Sequence, residues 1–212
     1  MIIAIDGPAA AGKGTLARRL AKHLNFAYLD SGSLYRAVAL SLIVSGTDQP
    51  TEADMIAVSQ NISPELLSDP RLRDEATGHL ASKVAANQTV RANLLHFQQN
   101  FAKTPPNGEV GAVIDGRDIG TVVCPHADLK LFVTASPDER AKRRLLELEG
   151  KNIPAQYENI LSDIQARDKQ DSERATSPLV QAKDAILLDT TELNAENVFK
   201  TALGLIKAAN LV

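Results

Sequence analysis

The sequence predicts an α/β fold in which a five-stranded parallel sheet is flanked by helices. Three observations predict it. Short apolar runs alternate with longer segments of helical spacing, the runs are continuous rather than alternating, and each ends close to Asp, Ser or Thr. Continuous runs mark strands covered on both faces, and strand–helix alternation is the pattern of a parallel sheet wrapped by helices. The runs lie at Ile2–Ile5, Ala27–Leu29, Ala112–Ile114, Leu129–Thr134 and Ala185–Leu188. After the first, Leu16, Leu20 and Leu24 recur every four residues beside Ala17 and Ala21, the stripe of an amphipathic helix. Ser136-Pro137-Asp138-Glu139 reads as a capping box with proline at the first helical position. Asn194 is a good N-cap for a last helix that places Val198, Ala202, Leu205, Ile206 and Ala209 on one face.

Two segments break the alternation. Residues 51–101 contain no convincing strand, only helical spacing (Leu80, Val84, Leu94, Leu95, Phe101), and read as a helical insertion. Residues 147–177 are polar and charged, with Gly150 and Pro154 near their start. Insertions on a rigid scaffold usually form binding surfaces or lids. The expected organisation is one domain, with a core of about 1–50, 102–146 and 178–212, the insertion at 51–101 and a lid at 147–177.

Composition narrows the function. The 212 residues are 44% hydrophobic and 23% charged, which is ordinary for a globular chain and excludes disordered and low-complexity classes. Twenty-three Lys plus Arg against 26 Asp plus Glu gives a net charge of −3, so a long nucleic acid is not an expected partner. A small phosphorylated ligand needs only a local cluster of cations and stays open. The single cysteine, Cys124, cannot form an internal disulfide. The first residues have no basic region, and the longest apolar stretch, Ala37 to Val44, is far short of a bilayer span. A soluble cytoplasmic protein with no membrane partner is expected.

The strongest local signal is Ile5-Asp6-Gly7-Pro8-Ala9-Ala10-Ala11-Gly12-Lys13-Gly14-Thr15-Leu16. A strand ends, a loop of small residues follows and an amphipathic helix begins, the context that a Walker A loop requires. Small residues let backbone N–H groups converge on phosphate oxygens, and the helix N-terminus adds partial positive charge. This makes the chain a P-loop NTPase by pattern, with Gly7 through Thr15 as the ATP-binding segment. Lys13 would reach the β- and γ-phosphates, and Thr15 sits near where Mg²⁺ should be held. One irregularity is that Gly14 separates Lys13 from Thr15, where the usual pattern puts Ser or Thr directly after lysine.

The arginines discriminate among P-loop functions, because joining two anions requires several cations from different parts of the chain. In Asp30-Ser31-Gly32-Ser33-Leu34-Tyr35-Arg36 a strand ends and a helix starts near Ser33, at the sheet edge where ligands of such folds bind. In Ile114-Asp115-Gly116-Arg117-Asp118-Ile119-Gly120, Asp115 reads as a Walker B carboxylate or as a simple cap. Arg167, Asp171 and Arg174 fall at i, i+4, i+7 on one helical face, as a binding cluster or as a surface salt-bridge ladder. Arg140, Arg143 and Arg144 are open to reading as solvated charges. Four histidines are scattered without metal-ligand spacing, and Cys124 reads as a buried structural thiol. Three Tyr, five Phe and no Trp give few platforms for stacking bases.

Taken together, the loop, Asp30-Ser31-Gly32 with Tyr35-Arg36, Asp115-Gly116-Arg117-Asp118-Ile119-Gly120-Thr121-Val122-Val123, and Arg167-Asp168 with Asp171, Arg174 and Pro178-Leu179 resemble the bacterial cytidylate kinases. The resemblance covers nearly the whole chain in order. It implies a nucleoside monophosphate kinase fold with a monophosphate-binding insertion and a short lid. The implied reaction is transfer of the γ-phosphate of ATP to CMP or dCMP with Mg²⁺. Matched one position at a time, it assigns Ser31, Arg36 and Arg117 to the acceptor phosphate region. Ser82, Arg91 and Asp118 match positions for the cytosine ring, and Arg167, Asp171 and Arg174 match lid-side positions for sugar and phosphates. Lys13, Arg117, Arg167 and Arg174 are the implied catalytic set, in a monomer. Many members carry a longer insertion with a small β-sheet; here residues 61–75 are short and polar, so that sheet is expected to be missing. Competing readings are a kinase of UMP or AMP and a nucleotide-dependent switch. The guanine-reading Asn-Lys-x-Asp segment of switch GTPases does not occur in the sequence.

Overall fold

The computed structural model describes residues 1–47 and 49–209. Its five strands are β1 (Ile2–Asp6), β2 (Ala27–Asp30), β3 (Ala112–Gly116), β4 (Leu129–Thr134) and β5 (Ile186–Asp189), in sheet order β2-β3-β1-β4-β5. The sheet is parallel, as predicted. All five predicted apolar runs became strands: the first three are longer by a residue or two, β4 keeps its predicted bounds and β5 is shifted by one residue. Central β1 pairs with both neighbours, with Asp6 opposite Gly116 on one side and Phe132 on the other. The carboxyl ends of β1 and β3 therefore finish level, and β4 runs two residues further, to Thr134. Burial on both faces holds for β3, whose residues are all buried, and fails for β5, where only Leu188 is buried. An edge strand lacks a second neighbour and much of the cover.

The chain divides into two compact units, residues 1–28 with 105–212, and residues 29–104. In the first unit, α1 (Lys13–Leu24) buries the expected stripe of Leu16, Ala17, Leu20 and Ala21. These join Ile3, Ile5, Val113, Leu131 and Val133 of the strands and Val198, Ala202 and Ile206 of α8 (Ala195–Ala208) in one core. Asn194 caps α8 by accepting from the Asn197 N–H. Helices α6 (Pro137–Glu149) and α7 (Tyr157–Glu173) make a separate seam of Ala141, Ile160 and Ile164. At the start of α6 the Ser136 hydroxyl accepts from Glu139 N–H, whereas the Glu139 carboxylate accepts from Arg143.

The second unit holds α2 (Ser31–Val44), α3 (Glu52–Ser59), two short 3₁₀ turns (Pro64–Ser68 and Pro70–Arg73), α4 (Glu75–Ala86) and α5 (Gln88–Lys103). Helix α2 begins at Ser31, two residues before the sequence placed it, because the Asp30 carboxylate caps it through Ser33 N–H. Leu34, Tyr35, Val38 and Leu42 of α2 pack on Ala81, Val84, Val90 and Leu94. That shared core is why α2 belongs to the same unit as the predicted 51–101 insertion. No strand occurs among the described residues of this unit after Asp30. Among the described residues, no helix is long and apolar enough to cross a membrane.

Two glycines give opposite predictions. Gly7 has φ +146°, and a Cβ there would lie 1.9 Å from the Val133 carbonyl oxygen, so backbone would have to move. Gly7→Ala is expected to lower unfolding free energy by more than about 2 kcal/mol. Gly204, exposed within α8, has open space around it, and Gly204→Ala is expected to raise stability by roughly 0.5–1 kcal/mol. Urea midpoints of the two variants check both signs.

Candidate active site

The loop from Gly7 to Gly12 is shaped by three residues with positive φ: Gly7, Ala10 (φ 59°) and Gly12 (φ 89°). Gly12 occupies the N-cap of α1 in the left-handed region, and no side chain caps the helix there. The first turn carries no acidic residue either. Amides at such a start have no intrahelical acceptor and carry partial positive charge, which suits an anion. Lys13 is 6% exposed and its Nζ donates to the Pro8 carbonyl at 3.0 Å, folding the ammonium back over the loop. Thr15 is exposed.

The irregular Gly14 is not a steric requirement: a Cβ there would make ordinary contacts, 3.6 Å from Asp115 Oδ2 and 3.7 Å from the Tyr28 hydroxyl. Asp115, at the end of β3, is buried and accepts from Tyr28 Oη at 3.0 Å. Its carboxylate lies beside the first turn of α1.

Asp6 escaped the sequence reading, which treated it only as the end of an apolar run. It is 5% exposed, and its two carboxylate oxygens accept from Ile119 N–H at 2.8 Å and Gly120 N–H at 2.7 Å. These bonds hold the wide turn Ile119–Val123 that follows Arg117 and Asp118. Burial pushes the Asp6 carboxyl up to about 6, against the two amides that favour its charge; Asp118 adds to the rise and Lys13 opposes it. A Cβ on Gly120 would stand 3.3 Å from Asp6 Oδ2 and 3.1 Å from Lys130 Cδ, which explains the glycine. The available signal was an acidic residue closing a strand otherwise wholly apolar.

The arginine ladder is not a solvated surface feature. Arg117 Nε donates to Asp171 Oδ2 at 2.7 Å, and Arg174 reaches both Asp171 and Asp118 at 4.0 Å. The Asp171 and Arg174 side chains are only 13% and 9% exposed. Burial alone would raise the Asp171 carboxyl, but Arg117, then Arg167 and Arg174, outweigh it and hold it below the usual range. One detail differs from the expected single helical face. Helix α7 ends at Glu173, and Arg174 is its extended C-cap (φ −62°, ψ 139°). Arg174 Nε donates to Ser177 O, and Leu179 N–H to Asp171 O, which curls the chain back so that Arg174 stays beside Asp171.

The three α6 arginines separate. Arg144 is a surface residue paired with Glu147, as the solvated reading holds. Arg143 pairs with Glu139 and donates to Thr190 O. Arg140 is 2% exposed and grips Asp168 of α7 with both terminal nitrogens. Cys124 is buried, and burial raises its thiol to about 11, which leaves it an inert thiol at neutral pH.

Within the second unit, the other predicted residues gather where α2, α4 and α5 meet. Arg36 donates to Leu72 O at 2.7 Å and lies against Gly78, where a Cβ would come within 3.2 Å of both terminal nitrogens. Ser82 donates to the Gly78 carbonyl at 3.3 Å. Arg91, nearly buried, donates to Ala85 O and stacks over the Tyr35 ring at 5.3 Å. Ser31 is buried at the first turn of α2. Thus Arg36 and Ser82 share Gly78 as a neighbour, and glycine at that position makes room for the first.

The chain matches the family model described as cytidylate kinase over residues 3–208. It is 55% identical to a cytidylate kinase of Paramagnetospirillum magneticum over 205 residues, covering 97% of each chain. A cytidylate kinase of Rhodospirillum rubrum is 50% identical over 206 residues, again covering 97% of each. Among solved structures, an uncharacterized protein from Eubacterium ventriosum shares the fold with a TM-score of 0.57 at 16% identity, covering 98% of both chains. A Thermus thermophilus protein does so with a TM-score of 0.51 at 16% identity, covering 98% of this chain and 96% of its own. A match across nearly all of the sequence, to the family model and to relatives at 50–55% identity, means that this chain belongs to the cytidylate kinase family.

Proposed function

We propose that this chain transfers the γ-phosphate of ATP to CMP and dCMP, giving CDP and dCDP, as a monomer in the cytoplasm. The observation that carries the reading is the convergence of Arg117, Arg167 and Arg174 on Asp171 in the unit that also holds the phosphate loop. Guanidiniums gathered on one carboxylate form a local cationic cluster suited to phosphate oxygens. A protein that only hydrolyses a triphosphate has less need of so many cations.

In this reading the amides of residues 7–15 and the Lys13 ammonium bind the triphosphate tail of ATP. Lys13 exchanges its contact with Pro8 O for phosphate oxygens. Arg117, Arg167 and Arg174 stabilise charge on the transferring group, acting by position rather than by covalent chemistry. Asp171 keeps those guanidiniums oriented before substrate arrives and accepts from sugar hydroxyls when it does. In the 29–104 unit, Ser31 and Arg36 serve the acceptor phosphate. Ser82, Arg91 and Asp118 are assigned to the cytosine ring, whose amine and N3 call for an acceptor and a donor that uracil would not satisfy. The 147–177 segment acts as the lid and 51–101 as the monophosphate-binding insertion. Excluding water from the transferring phosphoryl group would limit loss to hydrolysis.

Mg²⁺ fits the residues present. Asp115 and Thr15 offer hard oxygen donors, and the Asp115 carboxylate lies next to the loop, beside Gly14. When bound with ATP the ion would supply charge neutralisation of the phosphates.

Turnover of all common nucleoside monophosphates with ATP and Mg²⁺, read by chromatography, is expected to show CMP and dCMP far ahead of UMP and AMP. Equal ATP consumption without any acceptor would overturn the proposal. Arg117→Ala is expected to lower kcat by on the order of 10²–10³ with the fold kept, since Arg167 and Arg174 still compensate Asp171. A folded variant with near-normal kcat would remove Arg117 from the catalytic set. Asp118→Asn is expected to reduce the CMP-to-UMP ratio of kcat/KM by about tenfold or more while the KM for ATP changes little. An unchanged ratio would show the residue to be misassigned.

A further inference from the structure

A buried and multiply bonded arginine of the first unit, Arg140, has no part in the proposed reaction. Arg140 is 2% exposed and distributes its donors over three segments. Nε donates to Ala135 O at 2.9 Å, just after β4. Nη1 donates to Ala9 O at 3.1 Å, in the phosphate loop, and to Asp168 Oδ1 at 2.9 Å. Nη2 completes a fork on Asp168 Oδ2 at 2.5 Å.

We propose that Arg140 is a positioning residue that sets the direction of the Ala10 amide in the phosphate cradle and ties the cradle to α7. In a planar trans peptide the C=O of one residue and the N–H of the next point in opposite directions. Drawing the Ala9 oxygen onto a buried guanidinium turns the Ala10 N–H away from it. This peptide needs such a hold. Ala10 is a non-glycine residue at φ 59°, a conformation that an L side chain disfavours, and rotating the 9–10 peptide would offer relief. The charged donor opposes that rotation. Its own charge is matched by Asp168, which follows Arg167 directly and stands three residues before Asp171. The same fork therefore fixes the part of α7 that carries the phosphate-facing arginine. Lysine cannot replace it, because one ammonium cannot reach Ala135 O, Ala9 O and both Asp168 oxygens with the fixed fork of a guanidinium.

The inference rests on the reading of the loop as the ATP site, not on the identity of the acceptor. The test is calorimetric titration of the wild type, Arg140→Lys and Asp168→Asn with ATP·Mg²⁺ and separately with CMP, with thermal melts alongside. Arg140→Lys is expected to raise the Kd and KM for ATP tenfold or more while the CMP Kd stays within about twofold. Asp168→Asn, which leaves the arginine in place without its counter-charge, should show the same split at a few-fold, and it decides the matter if Arg140→Lys does not fold. A purely structural arginine would lower Tm and the active fraction but leave the ATP Kd of the folded protein unchanged; that result, or equal weakening of ATP and CMP, overturns the proposal. Failure of the wild type itself to bind ATP would instead overturn the reading of the loop, and this inference with it.

Discussion

An uncapped helix start is the constraint on which the rest of this structure depends. At the beginning of α1 the backbone amides meet no side-chain acceptor and no acidic first-turn residue. A helix start in that condition presents its free amides and partial positive charge to an anion, which supplies the missing acceptors. Everything nearby preserves that state. Gly7, Ala10 and Gly12 take up backbone conformations that open the loop, and Gly7 in addition lies too close to Val133 O for any side chain. The Lys13 ammonium is folded back over the loop by its bond to Pro8 O.

Around this loop the first unit uses buried ion pairs as a frame rather than as a source of stability. Asp6 holds the turn after Arg117 and Asp118 through two backbone amides. Asp171 gathers Arg117, Arg167 and Arg174, and Arg140 spans the loop and α7. Burying a pair of charges yields little net stability, because desolvation consumes most of the attraction. What these pairs supply is fixed orientation of groups that must meet phosphate without reorganising at the moment of transfer.

Much of this was legible in the residues. The strands were readable because buried parallel strands are continuous apolar runs, and α1 because Leu16 and Leu20 recur with the helical period. The loop was readable because its chemistry demands small residues and a lysine at a fixed spacing. Arg140 and Asp6 were not. Sequence shows that a residue is charged but not that it is buried, and both act through partners more than 25 positions away, such as Asp168 and Ile119. The i, i+4, i+7 spacing of Arg167, Asp171 and Arg174 suggested one helical face, yet α7 ends at Glu173 and the last of the three reaches Asp171 by a turn back of the chain. The early start of α2 was hidden for a local reason: Asp30 doubles as the last residue of β2 and the cap of the helix.

Backbone amide exchange of the loop tests the central claim most directly, since the claim concerns N–H groups and not side chains. Exchange of the amides from Ala9 to Thr15 should slow at least tenfold when saturating ATP·Mg²⁺ is added, with the α8 amides unchanged. Loop amides that exchange equally fast with and without the nucleotide, in protein shown to have bound it, would contradict the account of the cradle.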